Sequence, residues 1–578
     1  LLRKVKKLLP YNQDFWTTLK KSAIILSLLA PSLTFADSMT LRIGSTRPIK
    51  TTHPYDEANT NDTGPVTYLL NRPLLAIDST WKWTCVLCKS IPTVEAGTVE
   101  FPYSPKSKKK FMRTSWELRG DLAWGDGKPV TAGDVVFSWQ LAKELVGALP
   151  QYYYLYSIDS IEVDKKNPLK FVINFIAPTA TFYKMAGLFI IPRHLEEDLW
   201  KKDSVPANYL ANSRYAAQPG NGGLYNGPYI FSGRDMQGNF LFTRSAYFRP
   251  SAKIEKVEVV IYKSKSELAN AVFAQKINMV LDRSLPASEV LEIEKKSRTS
   301  SPDLAKQYEF LYKDNSTFEH IDFNMRNPIL ADRVFRKALL HATNRSEIVS
   351  ELFKGAKNPA LHSLNVADPF YAAASAEEKL AFAPKTAEKL LDELGWKVGE
   401  GGFRFKDEQK LTLSLDFIAS DETRRRTAAL LKTQWRALGI DLITREIAPA
   451  DFASKTIAKA QFSDLVLFSW EMVPSSAPVG IYHSKEIPTF ENNYDGQNIS
   501  AWRNKSVDKF LDRLAGEFDE KKRLEDMQNI LREFVDDAAA IPLYFDTSTS
   551  IIPVNLQNFQ LTGHDAPATL WAEYWQIN

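Results

Sequence analysis

Side-chain chemistry needs particular residue types at particular spacings, and this chain of 578 residues offers few such sets. Seven histidines stand at positions 53, 194, 320, 341, 362, 483 and 564. No two of them make the HxxxH or HExxH spacing that turns ligands to one face of a helix, so zinc hydrolysis has no support. No GxSxG elbow presents a serine, and no glycine-rich loop runs into Lys-Ser or Lys-Thr to hold phosphates. A Ser, His and Asp triad gathered from distant positions is the one nucleophilic arrangement left open. The cluster Gly220 to Gly227 leads directly into Pro228-Tyr229 and reads as a turn. Only two cysteines occur, in Trp83-Thr84-Cys85-Val86-Leu87-Cys88. A zinc site would need two further ligands nearby. A thioredoxin-like pair would need a helix after the second cysteine, where Pro92 breaks one. In an oxidising compartment Cys85 and Cys88 most simply close a structural disulfide.

The N-terminal segment bears on that compartment. Lys20-Lys21 precede an apolar run from Ala23 to Ala30, and Thr34-Phe35-Ala36 places small residues ahead of Asp37. The pattern is that of a secretory signal peptide over residues 1–36, cut after Ala36, with a membrane anchor as the competing reading. The apolar run is far shorter than the roughly 20 residues a bilayer needs. This segment carries six basic residues and one acidic one, so beyond it 67 basic residues face 68 acidic. Even the whole chain's net charge of +4 is too weak a field to argue for nucleic acid. With 44% hydrophobic and 25% charged residues, the chain has material for a large core. At about 100 to 200 residues per domain, its length fits three or four domains, or two lobes of which one is discontinuous.

The elements that must position a site show in the hydrophobic periodicity. Met39 to Gly44 is a short strand, followed by a long polar loop over 45–64. Trp116 to Arg119 is another strand, and Thr131-Ala132-Gly133-Asp134 is a capping box for a helix that buries Val135, Trp139, Ala142 and Val146. Ile158 to Ile176 alternates as paired strands. Two helices fill 332–355, the first turning Val334, Phe335, Ala338 and Leu339 inward and the second ending at Lys354-Gly355; a further helix over 385–394 stops at Gly395. Leu411 to Ile418, a helix from Arg424 to Leu438, and Ile440 to Ile447 make a βαβ unit, hence parallel strands and a right-handed crossover. The arginine run Arg424 to Arg426 reads as a solvated helix face. Asp464 to Trp470 is an apolar strand followed by a loop rich in Pro, Ser and Asn. A helix over 521–537 then leads to the strand Ile541 to Phe545.

The run Leu118 to Ser138, through Trp124-Gly125-Asp126-Gly127 and Thr131-Ala132-Gly133-Asp134, closely resembles the motif of the extracellular solute-binding proteins of the peptide and nickel class (family 5). Further segments resemble that family in order: Gly227-Pro228-Tyr229; Asn324 to Val349, with Arg336, Ala338, Asn344 and Arg345; Ala387 to Trp396; Asn498 to Phe510; and Ile541-Pro542-Leu543. The resemblance spans nearly the whole chain from Leu41 onward. It implies an α/β, two-lobed periplasmic binding protein-like fold of type II with an extra subdomain, its mixed sheets flanked by helices. The implied layout is lobe I over 37–78, 216–315 and 541–578, an extra subdomain over 79–215, and lobe II over 316–540, with hinges near Ser316 and Ala540. The implied function is that of a periplasmic, monomeric binding component. It closes on a peptide or similar medium-sized solute and delivers it to an inner-membrane ABC permease and its ATPase, with no catalysis, cofactor, metal or nucleic acid. A secreted hydrolase, or a ligand sensor without a permease, is the alternative.

Two departures from the family pattern narrow the solute. Where peptide binders of this class carry an Asp for the ligand's ammonium, three residues after the strand's Trp, this chain has Val473. Where dipeptide binders carry an Arg for the carboxylate, the approximate match is Ile418. Both put free-ended dipeptides in doubt. The expected pocket lies between the loop after the first strand (Ser45, Thr46) and the loop after Trp470. The Trp470 indole can bury about 150 to 250 Å² against a ligand. Glu471 can hold a cationic group, and Tyr482 and Asn498 can hydrogen-bond polar ones.

Overall fold

Among the described residues, ten strands hydrogen-bond into one continuous mixed sheet. In chain order they are β1 (Thr40–Ser45), β2 (Tyr229–Arg234), β3 (Phe240–Arg244), β4 (Lys256–Ile261), β5 (Met279–Val280), β6 (Tyr308–Phe323), β7 (Thr412–Ile418), β8 (Asp441–Ile447), β9 (Leu465–Glu471) and β10 (Ala540–Pro553). Across the sheet they run β8-β7-β9-β6-β10-β5-β1-β4-β3-β2. The computed structural model describes residues 40–56, 64–104, 108–147, 149–183, 188–354, 357–371 and 379–578. The expected signal peptide and Gly355 lie outside the described residues.

The sheet is continuous but the hydrophobic core is not. Among the described residues it falls into four clusters, two of them large. One large core gathers β1 to β4 with Leu188, Ile190 and Ile191, and takes in Ile552 and Trp575 from the end of the chain. The other gathers Phe318, Ile321, Leu413, Leu467, Ile541, Leu543 and Phe545. The two long antiparallel strands β6 and β10 pass through both. Tyr308 to Asp314 pairs with Thr547 to Pro553, Phe318 to Asp322 pairs with Ala540 to Phe545, and the register shifts between Asp314 and Phe318. The local cause is polar sequence: Asn315 Oδ1 accepts the Thr317 N–H at 2.8 Å, a side-chain bond that takes the place of a ladder bond. β6, which apolar periodicity does not reveal, therefore runs through Lys313-Asp314-Asn315-Ser316-Thr317, and β10 extends well beyond Phe545.

Each half is built as its sequence pattern dictates. The βαβ unit forms with β7 and β8 parallel and in unbroken register from Thr412 opposite Asp441 to Ile418 opposite Ile447. Its helix, Glu422–Ala437, is capped by Asp421 and buries Ala428, Leu431 and Trp435. The capping box of the helix Ala132–Leu145 is present, with the Thr131 N–H donating to Asp134 Oδ2 at 2.8 Å. In the helix Arg333–Ala342, Phe335, Ala338 and Leu339 are buried while Val334, in the first turn, is exposed. The turn at Gly227 requires glycine, because a Cβ there would stand 2.6 Å from the Leu69 and Leu70 backbone. Cys85 and Cys88 are disulfide-bonded at the end of the short strand Trp83–Cys85. A buried ion pair between Arg72 and Glu573 ties the C-terminal segment back to the first core.

A separate four-stranded antiparallel sheet, ordered Val99–Glu100, Met112–Glu117, Lys170–Phe175, Ile158–Val163, forms the extra layer on the first half. Beside it Glu196 is fully buried. Its carboxylate accepts the Tyr209 hydroxyl at 2.9 Å and the Arg214 N–H at 3.1 Å. Burial pushes the Glu196 carboxyl up to about 7, the two hydrogen bonds only partly opposing it. The folded state thus holds a proton that the unfolded chain releases near its ordinary value of 4.5. Stability from this group is fully present below that value and is lost as pH rises through about 7. Glu196→Gln should therefore stabilise the protein by about 1–3 kcal/mol at about pH 8 and by little at about pH 5. Urea unfolding at both pH values checks this, and an offset that does not depend on pH would contradict it.

Candidate functional site

The ends of strands from both halves meet beside the break in β6. β1 and β5 are parallel, with Gly44 opposite Val280, so the segments that follow them run side by side. The Thr46 hydroxyl donates to the Ser284 carbonyl at 2.9 Å, and the Ser284 hydroxyl lies 3.4 Å from that of Ser45. From the other half, β9 ends at Glu471, which stands opposite Thr317 in the ladder. The Arg283 guanidinium crosses between the halves and forms an ion pair with Glu471, the two side chains being 30% and 40% exposed. Ser45, Thr46 and Glu471 thereby contact the segment Asp282-Arg283-Ser284, and Trp470 precedes Glu471 on β9.

That segment is the part of the site that sequence reasoning missed. Arg283 has a backbone φ of 62°, a left-handed conformation that costs a non-glycine residue about 1–2 kcal/mol and that surrounding contacts must hold in place. Burial pushes its guanidinium down, and Glu471, helped by Asp282 and Asp565, more than reverses this. Asp282 is 2% exposed, and no hydrogen-bond partner reaches its Oδ1. Burial pushes its carboxyl up, against the opposing pull of Arg283 and Arg47. Asp565 is 56% exposed; His564 Nδ1 stands 3.8 Å from its Oδ1, and against the effect of burial His564 and Arg283 together hold its carboxyl below the usual carboxylate range. The only sequence signal was position: Asp282 and Arg283 follow a short strand end, with no motif of their own.

The remaining candidates divide. Trp470 is half-buried, edge-to-face against Phe468 with ring centroids 5.2 Å apart. Tyr482 lies in the second core against Phe534 and Trp502, its hydroxyl donating to Ser363 Oγ at 2.7 Å. Asn498 is 1% exposed; its Nδ2 donates to the Trp502 carbonyl at 2.9 Å and its Oδ1 accepts the Trp502 N–H at 3.1 Å, so both ends serve its own loop. The loop after Trp470 is anchored by Asp368, which accepts the Ser475 N–H at 3.0 Å. Burial pushes the Asp368 carboxyl up to about 6, partly offset by its bonds from Phe370 and Ser475. Val473, in the same loop, is 40% exposed and offers no charge.

Arg424 is not the solvated residue its run implied. Its guanidinium makes two bonds to Glu319, at 2.6 and 3.0 Å, and one to Ser469 Oγ at 3.1 Å. Burial lowers its pKa and Glu319 more than restores it. A second set of contacts spans the halves away from the break. The Ala180 N–H donates to the Ala515 carbonyl at 2.8 Å, Arg523 donates to the Tyr183 hydroxyl at 3.0 Å, and Phe101 meets Phe518 edge-on at 4.8 Å. A cavity of about 320 Å³ between Phe335, Leu394 and Trp396 belongs to the helices Arg333–Ala342 and Pro384–Glu393, which carry none of the residues above. Among the described residues no group of His, Cys, Asp and Glu is arranged to hold a metal ion. Among them, too, no helix is long and apolar enough to cross a membrane.

Residues 111–486 match the family described as bacterial extracellular solute-binding proteins, family 5. The chain belongs to that family. This is a family of solute-binding proteins rather than of enzymes, and its two-lobed α/β fold is the one described above. Among its family 5 relatives is the oligopeptide-binding protein AppA of Bacillus subtilis, 22% identical over 452 residues that cover 77% of each chain. The structure of AppA in complex with a nonapeptide matches with a TM-score of 0.66 at 19% identity, over 93% of this chain and 99% of that one. The ABC transporter substrate-binding protein CtaP of Listeria monocytogenes matches with a TM-score of 0.72 at 20% identity, over 93% and 99%. NikZ of Campylobacter jejuni, in complex with Ni(L-His), matches with a TM-score of 0.66 at 19% identity over the same shares.

The Arg424 contacts carry a stability prediction for this family 5 fold. Arg424→Met should cost about 3–5 kcal/mol, because it strands the buried Glu319 carboxylate. The double variant Arg424→Met with Glu319→Leu should recover most of that loss. Urea unfolding of the three proteins measures it, and a double variant no better than the single would contradict it.

Proposed function

We propose that this protein is the periplasmic binding component of an ABC importer. It holds a peptide or another medium-sized solute between its two lobes, and delivers it to an inner-membrane permease and its ATPase as a monomer, without a cofactor. The observation that carries this reading is the pair of long strands that cross from one core to the other and change register at the crossing. Two crossings side by side make a hinge, and a cleft that closes by hinge rotation buries most of a ligand's surface. We take the hinge to be Asn315 to Thr317 on β6 and Asp546 to Thr547 on β10, because Phe545 packs in the second core and Ile551 and Ile552 pack with the first half. Lobe I is then 37–78, 216–315 and 546–578, the extra subdomain 79–215, and lobe II 316–545. Residues 1–36 serve as the export signal.

Within the cleft, Ser45 and Thr46 with the Asp282-Arg283-Ser284 segment line one wall, and Trp470 with Glu471 the other. The indole supplies an apolar face that accepts varied groups, and the two lobes carry opposite charges at the crossing. Relatives whose structures hold a nonapeptide and a nickel–histidine complex support a polar solute of this size range. The charge-free Val473 and Ile418 argue against free-ended dipeptides. A sensor without a permease would use the same cleft, and a permease gene beside this one separates the two.

Native mass spectrometry of the protein purified without denaturation should reveal a bound solute. Returned to stripped protein, that solute should lower the radius of gyration in solution scattering. Trp470→Ala should weaken its binding by roughly 2 kcal/mol. A scattering curve unchanged at saturation would overturn hinge closure, and unchanged affinity in folded Trp470→Ala would remove Trp470 from the site.

A further inference from the structure

We propose that the extra subdomain carries a clasp that holds the two lobes closed, formed by Phe101, Ala180 and Tyr183 against Ala515, Phe518 and Arg523 of lobe II, with the Tyr183 hydroxyl as its central group. The inference rests on the solute-binding reading above and deepens it, assigning the closed state to residues outside the hinge strands. Its first ground is that one lobe reaches into the core of the other. The helices Lys505–Gly516 and Glu520–Asp536 belong to lobe II, and their Leu511, Leu514, Met527 and Ile530 lie in the second core. Phe518, in the turn between them, packs instead against the first core and meets Phe101 edge-on at 4.8 Å. At the end of the first helix the Ala515 carbonyl accepts the Ala180 N–H at 2.8 Å. A turn whose flanks are fixed in one lobe and whose tip seats in the other is a contact that rotation of the lobes must break.

The second ground is that both sides of the clasp are held ready. Arg523 is 6% exposed. Its Nη1 donates to the Leu514 and Glu517 carbonyls at 3.3 and 3.1 Å, which fixes the guanidinium within its own lobe, and its Nη2 donates across to the Tyr183 hydroxyl at 3.0 Å. A planar guanidinium anchored on one side loses little freedom when its other side finds a partner. The Tyr183 ring packs against Trp83 with centroids 5.5 Å apart, and Trp83 opens the short strand that ends at the Cys85–Cys88 disulfide. Opening returns the Ala180 N–H, the Tyr183 hydroxyl and one arm of Arg523 to water, so release leaves no donor stranded.

The third ground is the loop that the clasp touches. The Tyr183 hydroxyl donates in turn to the Ser475 carbonyl, 3.4 Å away, in the loop after Trp470. Burial pushes this hydroxyl up, with Arg523 only partly opposing, so it keeps its proton and donates while it accepts. Ser475 has a φ of 56°, a conformation that a residue other than glycine keeps only where contacts enforce it. Its N–H goes to Asp368 in its own lobe and its carbonyl to Tyr183. Shutting the clasp and setting that wall of the cleft are therefore one event.

The test reads the ratio of closed to open molecules by single-molecule energy transfer, with dyes on Val205→Cys in the extra subdomain and Phe490→Cys in lobe II, positions 53% and 81% exposed. The native cysteines are disulfide-bonded and take no dye. In protein as purified and after stripping, Tyr183→Phe, which keeps the ring and removes the hydroxyl, should lower the closed-to-open ratio roughly tenfold, the loss expected for one hydrogen bond to a charged group. Phe101→Leu, which removes the edge contact with Phe518, should lower it too and replaces Tyr183→Phe should that variant fail to fold. Two populations in a ratio that the variant leaves unchanged would overturn the clasp and leave solute binding and hinge closure standing. A single population, the same in every protein as purified and after stripping, would overturn the clasp and hinge closure together.

Discussion

The pairing of β6 with β10 is the constraint on which the rest of the structure depends. Among the described strands these two alone run from one large core into the other, and they do so through a stretch that carries no apolar side chain on either strand: Lys313 to Thr317 and Asp546 to Ser550. Such a stretch would be a weak point inside a single core. Between two cores it is a place where the chain can bend without opening either. Its polar groups are tied locally: Asn365 donates to the Asn315 carbonyl at 3.0 Å, and Lys313 donates to the carbonyls of Ser79 and Leu561 at 3.1 and 3.2 Å. Thr549 donates to the Leu285 carbonyl at 3.1 Å, which links the crossing to the segment that holds Arg283.

Two arginine–carboxylate pairs near the crossing show how exposure sets their roles. Arg424 and Glu319 are both well buried and lie within the second lobe, where loss of either partner strands a charge. Arg283 and Glu471 lie on opposite lobes and are 30% and 40% exposed. A pair that open to solvent is worth about 1 kcal/mol or less, so it can hold two lobes together and still yield to a solute. The same comparison separates fixed architecture from the working surface.

Much of this was legible in the sequence, and the limits have physical causes. The capping box at Thr131 and the βαβ unit from Leu411 to Ile447 are local patterns with one solution, and the structure has them as read. β6 was not visible because its polar centre interrupts the alternation that marks a strand, and β10 was read only as far as Phe545 for the same reason. The order of family motifs pointed to Trp470 and Glu471, yet the partner of Glu471 is set by tertiary pairing: Arg283 reaches it because β5 joins β1 and β10 in the sheet. Arg424 looked like surface because a run of three arginines on a helix usually is. Here the first of them follows the Asp421 cap and turns toward Glu319 on β6.

The central claim is that the two cores are separate bodies that rotate about the β6 and β10 crossings. Nitroxide labels on Met236→Cys and Phe490→Cys, two highly exposed positions on opposite halves, report their separation by pulsed electron spin resonance. Rotation predicts a narrow distance distribution with solute bound and a longer, broader one after stripping, with Arg283→Ala shifting the stripped protein further toward the long distances. A single distribution that is the same in all three states would contradict it.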